Sequence, residues 1–356
     1  MAVKISRKAL NRATLDRQFL LRRTDLPLQQ ALEQLVGLQA QTTTSWYHGM
    51  WTRVTGFDPY ALSELLSNRS VVRMVVMRGT IHLVTAEDAL FLRPLTQIVS
   101  TRAFQLADLD YDEVIRVGRG LVEGKPMIFS ELGKHLAKQW PTHDPSKLAH
   151  VVRAHVPLVQ IPPRGLWGGS GIAAHTTVES WLGRSVHAEP SVDQLVIRYL
   201  AAFGPASVKD AQTWSGLTKL GEVFTRLRPQ LVTFEDENGR ELFDLPDAPR
   251  PAEDTPAPVR FLYEYDNLLL SHQDRTRVAT PEWLAQERPI NGVLPKIFLV
   301  NGFTAGMWSV TGGTLTISPY RPLSKKDTAA LVREGGKLLE FAASGQSHRV
   351  EILAPN

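Results

Sequence analysis

The chain has 356 residues, 43% hydrophobic and 21% charged, which excludes a disordered or fibrous protein and is too long for one ordinary core. The 40 Lys and Arg outnumber the 36 Asp and Glu by a formal +4, enough to favour a polyanionic partner without requiring one. The absence of cysteine excludes disulfides, a thiolate nucleophile and Cys-based metal sites, and no run approaches the ~18 apolar residues that cross a bilayer.

Residues 5–22 and 27–41 have the spacing of two amphipathic helices, with Asp25 and Pro27 opening the second. Leu28, Leu32, Leu35 and Val36 form the apolar face of the second, and its next turn lands on Gln39. The run Thr42-Thr43-Thr44 disfavours continuing that helix, and unwinding near Ala40 would let Gln39 and Gln41 converge on one side. A plain polar helix end would give the same triplet. A third helix is expected over Trp46–Val54 and a fourth from Asp58-Pro59, before Ser70–Val84 turns extended. Helices followed by a short strand pair have the order of a winged helix–turn–helix.

That order recurs. Tyr111–Val122, a short helix from Ser130 and a longer one over Ser146–Leu158 lead into the turn-rich Ile161–Thr177. Helices from Ser191, over Val208–Ser215 and over Thr218–Arg228 lead into strands split by Asn238-Gly239, a strong hairpin signal. The Pro-rich run 246–258 can neither pair in a sheet nor continue a helix, so a boundary is expected there. Beyond it, Val259–His272, Thr276–Ala279, Lys296–Val300, Gly306–Val310 and Thr314–Ser318 suggest strands, closed by a helix over Ser324–Ala343. The expectation is an α+β chain: winged helix–turn–helix units over 1–110, 111–188 and 189–245, a linker over 246–258, and a β-barrel or curled sheet with its helix over 259–356.

Generic catalytic signatures are absent. Gly168-Gly169-Ser170-Gly171 lacks the register of a nucleophile elbow, Gly335-Gly336-Lys337 lacks the rest of a phosphate loop, and His143, His150 and His155 have no metal-like spacing. Neither a metal nor a cofactor is expected.

The blocks Leu38-Gln39-Ala40-Gln41, Gly49–Val54, Met77–Val84, Glu264–His272 with Asp274-Arg275, Val300–Phe303 and Gly306-Met307-Trp308, in this order and over nearly the whole chain, resemble the AlkZ/YcaQ-type winged-helix DNA glycosylases. Gln-Ala-Gln looks like the AlkZ branch, the self-resistance enzymes of producers of DNA-alkylating antibiotics. The YcaQ branch has aspartate at the second polar position. The resemblance implies three tandem winged helices in a C-shaped arrangement plus a C-terminal β-barrel. It implies excision of bulky N7-alkylpurines and, in some members, unhooking of interstrand crosslinks, with Gln39 and Gln41 as the catalytic pair. The implied partner is double-stranded DNA carrying alkylated purines. No membrane partner is expected, and the protein should act as a monomer in the cytoplasm, at the nucleoid.

The chemistry stands apart from the name. Alkylation at N7 makes guanine cationic and already a good leaving group, so two neutral amides that hold a water and steady an oxocarbenium-like state suffice. Neither is an amine nucleophile, which implies a monofunctional glycosylase with no lyase step. Arg73, Arg78 and His82 are candidates for phosphate contacts, against salt bridges to Glu64 or Glu87. Trp46 and His48 are candidates for the lesion pocket, against a place in the core. Arg288 and Lys296 bracket a hairpin that could probe DNA, while Lys8, Arg12, Arg17 and Arg22 suggest a solvated helix face. Asp266 and Asn267 suggest a buried pair tying two strands. A non-catalytic winged-helix transcription regulator is the competing reading, since the fold alone certifies no chemistry.

Overall fold

The computed structural model describes residues 3–103, 106–286 and 293–355. Three times, short helices lead into an antiparallel hairpin. The first set is Leu28–Gln34, Ser45–Trp51 and Pro59–Ser67 with strands Val71–Val75 and Ile81–Thr85; the second is Tyr111–Gly124, Phe129–Ala137 and Pro145–His155 with Leu158–Ile161 and Ala174–Thr177. The third is Val192–Phe203, Val208–Ser215 and Gly221–Leu227 with Val232–Glu235 and Glu241–Asp244. Local caps set many of these boundaries. Asp58, Asp110, Asp144 and Ser191 each accept a bond from the first turn of their helix, and Ser207 and Asp210 cap each other reciprocally.

The first two hairpins are not separate wings. Arg73 pairs with Gln160 and Met74 with Val159, which fuses them into one six-stranded sheet whose edge is the two-residue strand Leu38–Gln39. The third hairpin takes Val3–Lys4 as a parallel neighbour. Helix Ala86–Ala103, absent from the elements expected above, packs on the first hairpin; its apolar residues join a core shared with Leu195, Tyr199 and Trp214.

The expected β-barrel is not formed. Among the described residues the C-terminal strands Arg260–Leu262, Ile297–Val300, Phe303–Thr311, Thr314–Pro319 and Arg349–Ile352 make an open five-stranded sheet in that order, with its two edges unpaired to each other. Two features keep it open. The first edge is only three residues long, because the chain leaves the sheet at Tyr263 and enters the short helix Asn267–Leu270 capped by Asp266. Helix Lys325–Ala342 covers the sheet, burying Leu331, Leu338 and Leu339 against Phe261, Leu315 and Ile317 in place of closing strands. The strand expected over Thr276–Ala279 is likewise a turn, with Val278 and Ala279 both bonding back to the Arg275 carbonyl.

The basic N-terminal helix, Arg7–Arg17, is not a solvated face. Lys8 and Arg22 are exposed, but Arg12 and Arg17 are buried. Arg17 forms a bidentate pair with Asp244, at 2.7 and 2.8 Å, and also reaches the Pro249 carbonyl. Arg12 bonds the Thr255 carbonyl at 2.7 Å and Asn301 Oδ1 at 2.6 Å. These two guanidiniums satisfy carbonyls of the Pro-rich run that no strand partner could. The Asn301-Gly302 hairpin, both residues at positive φ, is fixed by the same helix through Arg12 and Asn11.

Candidate active site

Helix Leu28–Gln34 stops earlier than its apolar periodicity suggested. Val36 and Gly37 take left-handed backbone angles, φ 52° and 82°, and their N–H groups bond back to the carbonyls of Glu33 and Leu32. This is a Schellman-type end with valine where glycine is usual, a strained choice for a β-branched residue. Gly37 has no alternative, since a Cβ there would lie 2.7 Å from the Leu83 carbonyl oxygen.

The turn throws the chain into extended conformation at Leu38, beside Ile81–Thr85, with Gln39 opposite His82. Leu38 and Ala40 join the core. Strand pairing rather than a frayed helix sets the backbone at Gln39, and Gln41 lies two residues beyond the strand, where continued alternation would bring it to the side of Gln39. Gln39 is buried and Gln41 exposed.

Arg78 fixes the Gln39 amide. Its Nη2 donates to Gln39 Oε1 at 2.9 Å and its Nη1 to the Trp214 carbonyl at 2.6 Å. Because a guanidinium only donates, the amide oxygen must face it, and the Gln39 NH2 is left without a partner among the described residues. Arg78 sits at φ 56° in the tight connection Met77–Gly79 between the two hairpin strands. Burial pulls its guanidinium down to about 10, with Tyr263 favouring the charge and Arg275 opposing it, so it stays charged at neutral pH.

His82 completes this cluster. Its Nδ1 lies 3.0 Å from the Thr80 carbonyl and must carry the proton, leaving Nε2 to accept from Arg78 at 3.3 Å. Burial, reinforced by the Arg78 charge, drives the imidazole down to about 3, so it is neutral. Gln41 Oε1 receives only a long contact, 3.4 Å from the Ile81 N–H. Arg73 approaches from beneath, donating from Nη2 to the Ala40 carbonyl at 2.9 Å; its Nε and Nη1 have no partner. Neither arginine bonds Glu64 or Glu87; Glu87 instead pairs with Arg184.

Of the other candidates, Trp46 borders this cluster, its ring centroid 6.0 Å from the Arg73 guanidinium, whereas His48 and Lys296 contact the C-terminal region. Trp46 is fully buried, stacked on Tyr47 with ring centroids 4.0 Å apart. The His48 ring is enclosed against Trp308 and Phe341, and burial lowers it to about 3, with Lys296 contributing. Lys296 lies over the Trp308 ring, 5.0 Å from its centroid. Arg288 lies outside the described residues, as does most of the hairpin it was expected to open.

What the sequence did not reveal is how the C-terminal region grips the glutamine strand. Tyr263 OH donates to the Gln39 carbonyl at 3.1 Å, and Glu264 Oε1 accepts from Thr42 Oγ1 at 3.1 Å. Asp266 forms a bidentate pair with Arg53 at 2.7 and 2.8 Å, and Asn267 Nδ2 donates to the Gly37 carbonyl at 2.8 Å. Asp266 and Asn267 thus tie the C-terminal region to the first helices rather than one strand to another. The Glu264–Asn267 block stood out in the sequence, but residues more than 200 positions apart gave no sign of which groups meet.

The sequence model of the family described as "DNA glycosylase AlkZ-like" matches residues 32–341. The chain belongs to this family. It is therefore a DNA glycosylase of the AlkZ-like type, a winged-helix DNA-binding enzyme of DNA repair. The chain is 23% identical to an "Interstrand DNA cross-link repair glycosylase" of Streptomyces sahachiroi, across 94% of this chain and 95% of that one. Its fold matches the solved structure of the Streptomyces sahachiroi DNA glycosylase AlkZ with a TM-score of 0.81 at 21% identity, covering 99% of this chain and 100% of that one. Among the described residues, no helix of this AlkZ-like chain is long and apolar enough to cross a membrane.

Proposed function

We propose that this AlkZ-like protein is a monofunctional glycosylase that hydrolyses the N-glycosidic bond of N7-alkylguanine in duplex DNA, with Gln39 and Gln41 holding the attacking water. The electron pair of the C1′–N9 bond leaves with the base and cancels its positive charge. The water oxygen bonds C1′ and its proton passes to solvent, since an amide cannot take it up. The two glutamines have different tasks. Gln39, its oxygen committed to Arg78, offers only N–H donors and orients, whereas Gln41 Oε1 keeps room to accept from the water. The observation that carries this reading is that both amides meet the same hairpin, Gln39 through Arg78 and Gln41 through the Ile81 N–H, with no lysine in hydrogen-bond contact with either among the described residues.

The name of the Streptomyces relative adds interstrand crosslinks as a second substrate class for this chain. The exposure of Gln41 favours that extension, because a crosslinked base cannot be swung free into a closed pocket. Incubation of the protein with a duplex carrying one N7-methylguanine should release the free base and leave an abasic strand that breaks only on alkaline treatment. A protein–DNA adduct trapped by borohydride would contradict the monofunctional reading.

A further inference from the structure

Charge around the glutamine strand is unbalanced in a way the proposed chemistry does not use. Arg73 and Arg78 approach it from two sides, and a cationic lesion would bring a third positive charge. One acid touches the strand and the turn that follows it: among the described residues, Glu264 is the sole carboxylate bonded to residues 38–45. It is 7% exposed, its Oε1 accepts from Thr42 Oγ1, the residue after Gln41, and its Oε2 is buried with no hydrogen-bond partner. No Lys, Arg or His among the described residues forms an ion pair with it. Its neighbour Tyr263 bonds the Gln39 carbonyl, so Glu264 is held at the same strand by adjacent backbone.

A buried carboxylate without a counter-ion is costly, and glutamine in its place would keep the bond to Thr42 without that cost. The negative charge, rather than the hydrogen bond, is what glutamate adds. We infer that Glu264 is the anion that steadies the positive charge developing on the sugar beside Gln39 and Gln41, offsetting the two arginines that border the strand. An enclosed anion acts strongly on a nearby cation because little solvent screens the pair. This inference rests on the glycosylase reading of the glutamine pair and deepens it.

The test compares Glu264→Gln, Glu264→Asp and wild type on a duplex with one N7-methylguanine. It measures single-turnover base release, equilibrium binding of the same duplex and the thermal midpoint. The expected result for Glu264→Gln is release slowed tenfold or more, binding within twofold of wild type and a midpoint equal or higher. Glu264→Asp, which keeps the charge, should release the base at least threefold faster than Glu264→Gln. Release by Glu264→Gln within twofold of wild type would overturn the inference. So would slow release accompanied by a lower midpoint and weaker binding, the pattern of a purely structural residue, or Glu264→Asp no faster than Glu264→Gln. Wild-type release that persists at full rate in Gln39→Ala and Gln41→Ala would instead remove the glutamines from the mechanism, a distinct failure.

Discussion

Two regions of the molecule bury charge in opposite ways. Where the N-terminal helices meet the rest of the chain, two buried guanidiniums face carboxylates, Arg17 with Asp244 and Arg53 with Asp266, all four side chains at 1% exposure or less, while Arg12 is satisfied by neutral oxygens. Around the glutamine strand the pairing stops. Arg73 has the Ala40 carbonyl and the face of the Trp46 ring, Arg78 has a neutral amide, a carbonyl and a neutral imidazole, and Glu264 has only a threonine. The first arrangement holds the fold together; the second stores uncompensated charge where a polyanion with a cationic lesion would bring the missing partners.

The same substitution in each region should separate the two roles. Arg53→Met strands Asp266 in the interior and should cost about 3–5 kcal/mol in urea unfolding, the usual penalty for removing half of a buried pair. Arg73→Met strands no carboxylate, so its effect on stability should stay below about 1 kcal/mol, at the small end of the scale. Equal losses in the two variants would erase the distinction.

Between these extremes lies the turn that delivers the strand. Gly37→Ala forces a side chain onto the Leu83 carbonyl at φ 82° and should destabilise the protein by about 2 kcal/mol. Circular dichroism during urea unfolding would check it, and base release by the variant at low temperature should fall with the displacement of Gln39.

Residue for residue, a smaller effect concerns pH. His82 beside the glutamines, and His48 and His272 in the scaffold, are held near 3 chiefly by burial, and His175 near 4. Their folded values lie below the ordinary imidazole value of 6.5, so the unfolded chain takes up protons that the folded chain refuses. Their contribution is present in full above pH 6.5 and is lost as pH falls from there towards 3 to 4, on the order of 1 kcal/mol per histidine per pH unit. Unfolding curves at pH 7.5, 6.5 and 5.5 should show falling stability, and His82→Gln should make the fall shallower. A rise on acidification would mean these imidazoles are already charged in the fold.

Patterns with a local cause were legible in the sequence. Helix Val208–Ser215 and the Asn238-Gly239 turn follow from a cap and a hairpin dipeptide a few residues away. Val36 at positive φ could not be foreseen, because its intrinsic preference points the other way and only the packing of Gly37 on Leu83 enforces it. The long apolar run after Val259 promised more strand than Arg260–Leu262 supplies, since Tyr263, Glu264, Asp266 and Asn267 are recruited to the glutamine strand instead. In the same way the basic N-terminal helix matched a solvated surface until its distant carbonyl and carboxylate partners were seen. The family resemblance, not spacing, singled out the glutamines as candidates, and nothing local pointed to Arg78 as the group that fixes which end of the Gln39 amide is free.

Whether Gln39 and Gln41 together direct water onto the sugar is decided by single-turnover release of N7-methylguanine from duplex DNA. Wild type, Gln39→Ala and Gln41→Ala would be compared, with binding of the same duplex measured in parallel. Release should slow roughly a hundredfold or more in each variant, with DNA affinity retained within a few-fold. Release at the wild-type rate by either variant, or loss of release that merely follows loss of binding, would remove the pair from the chemistry.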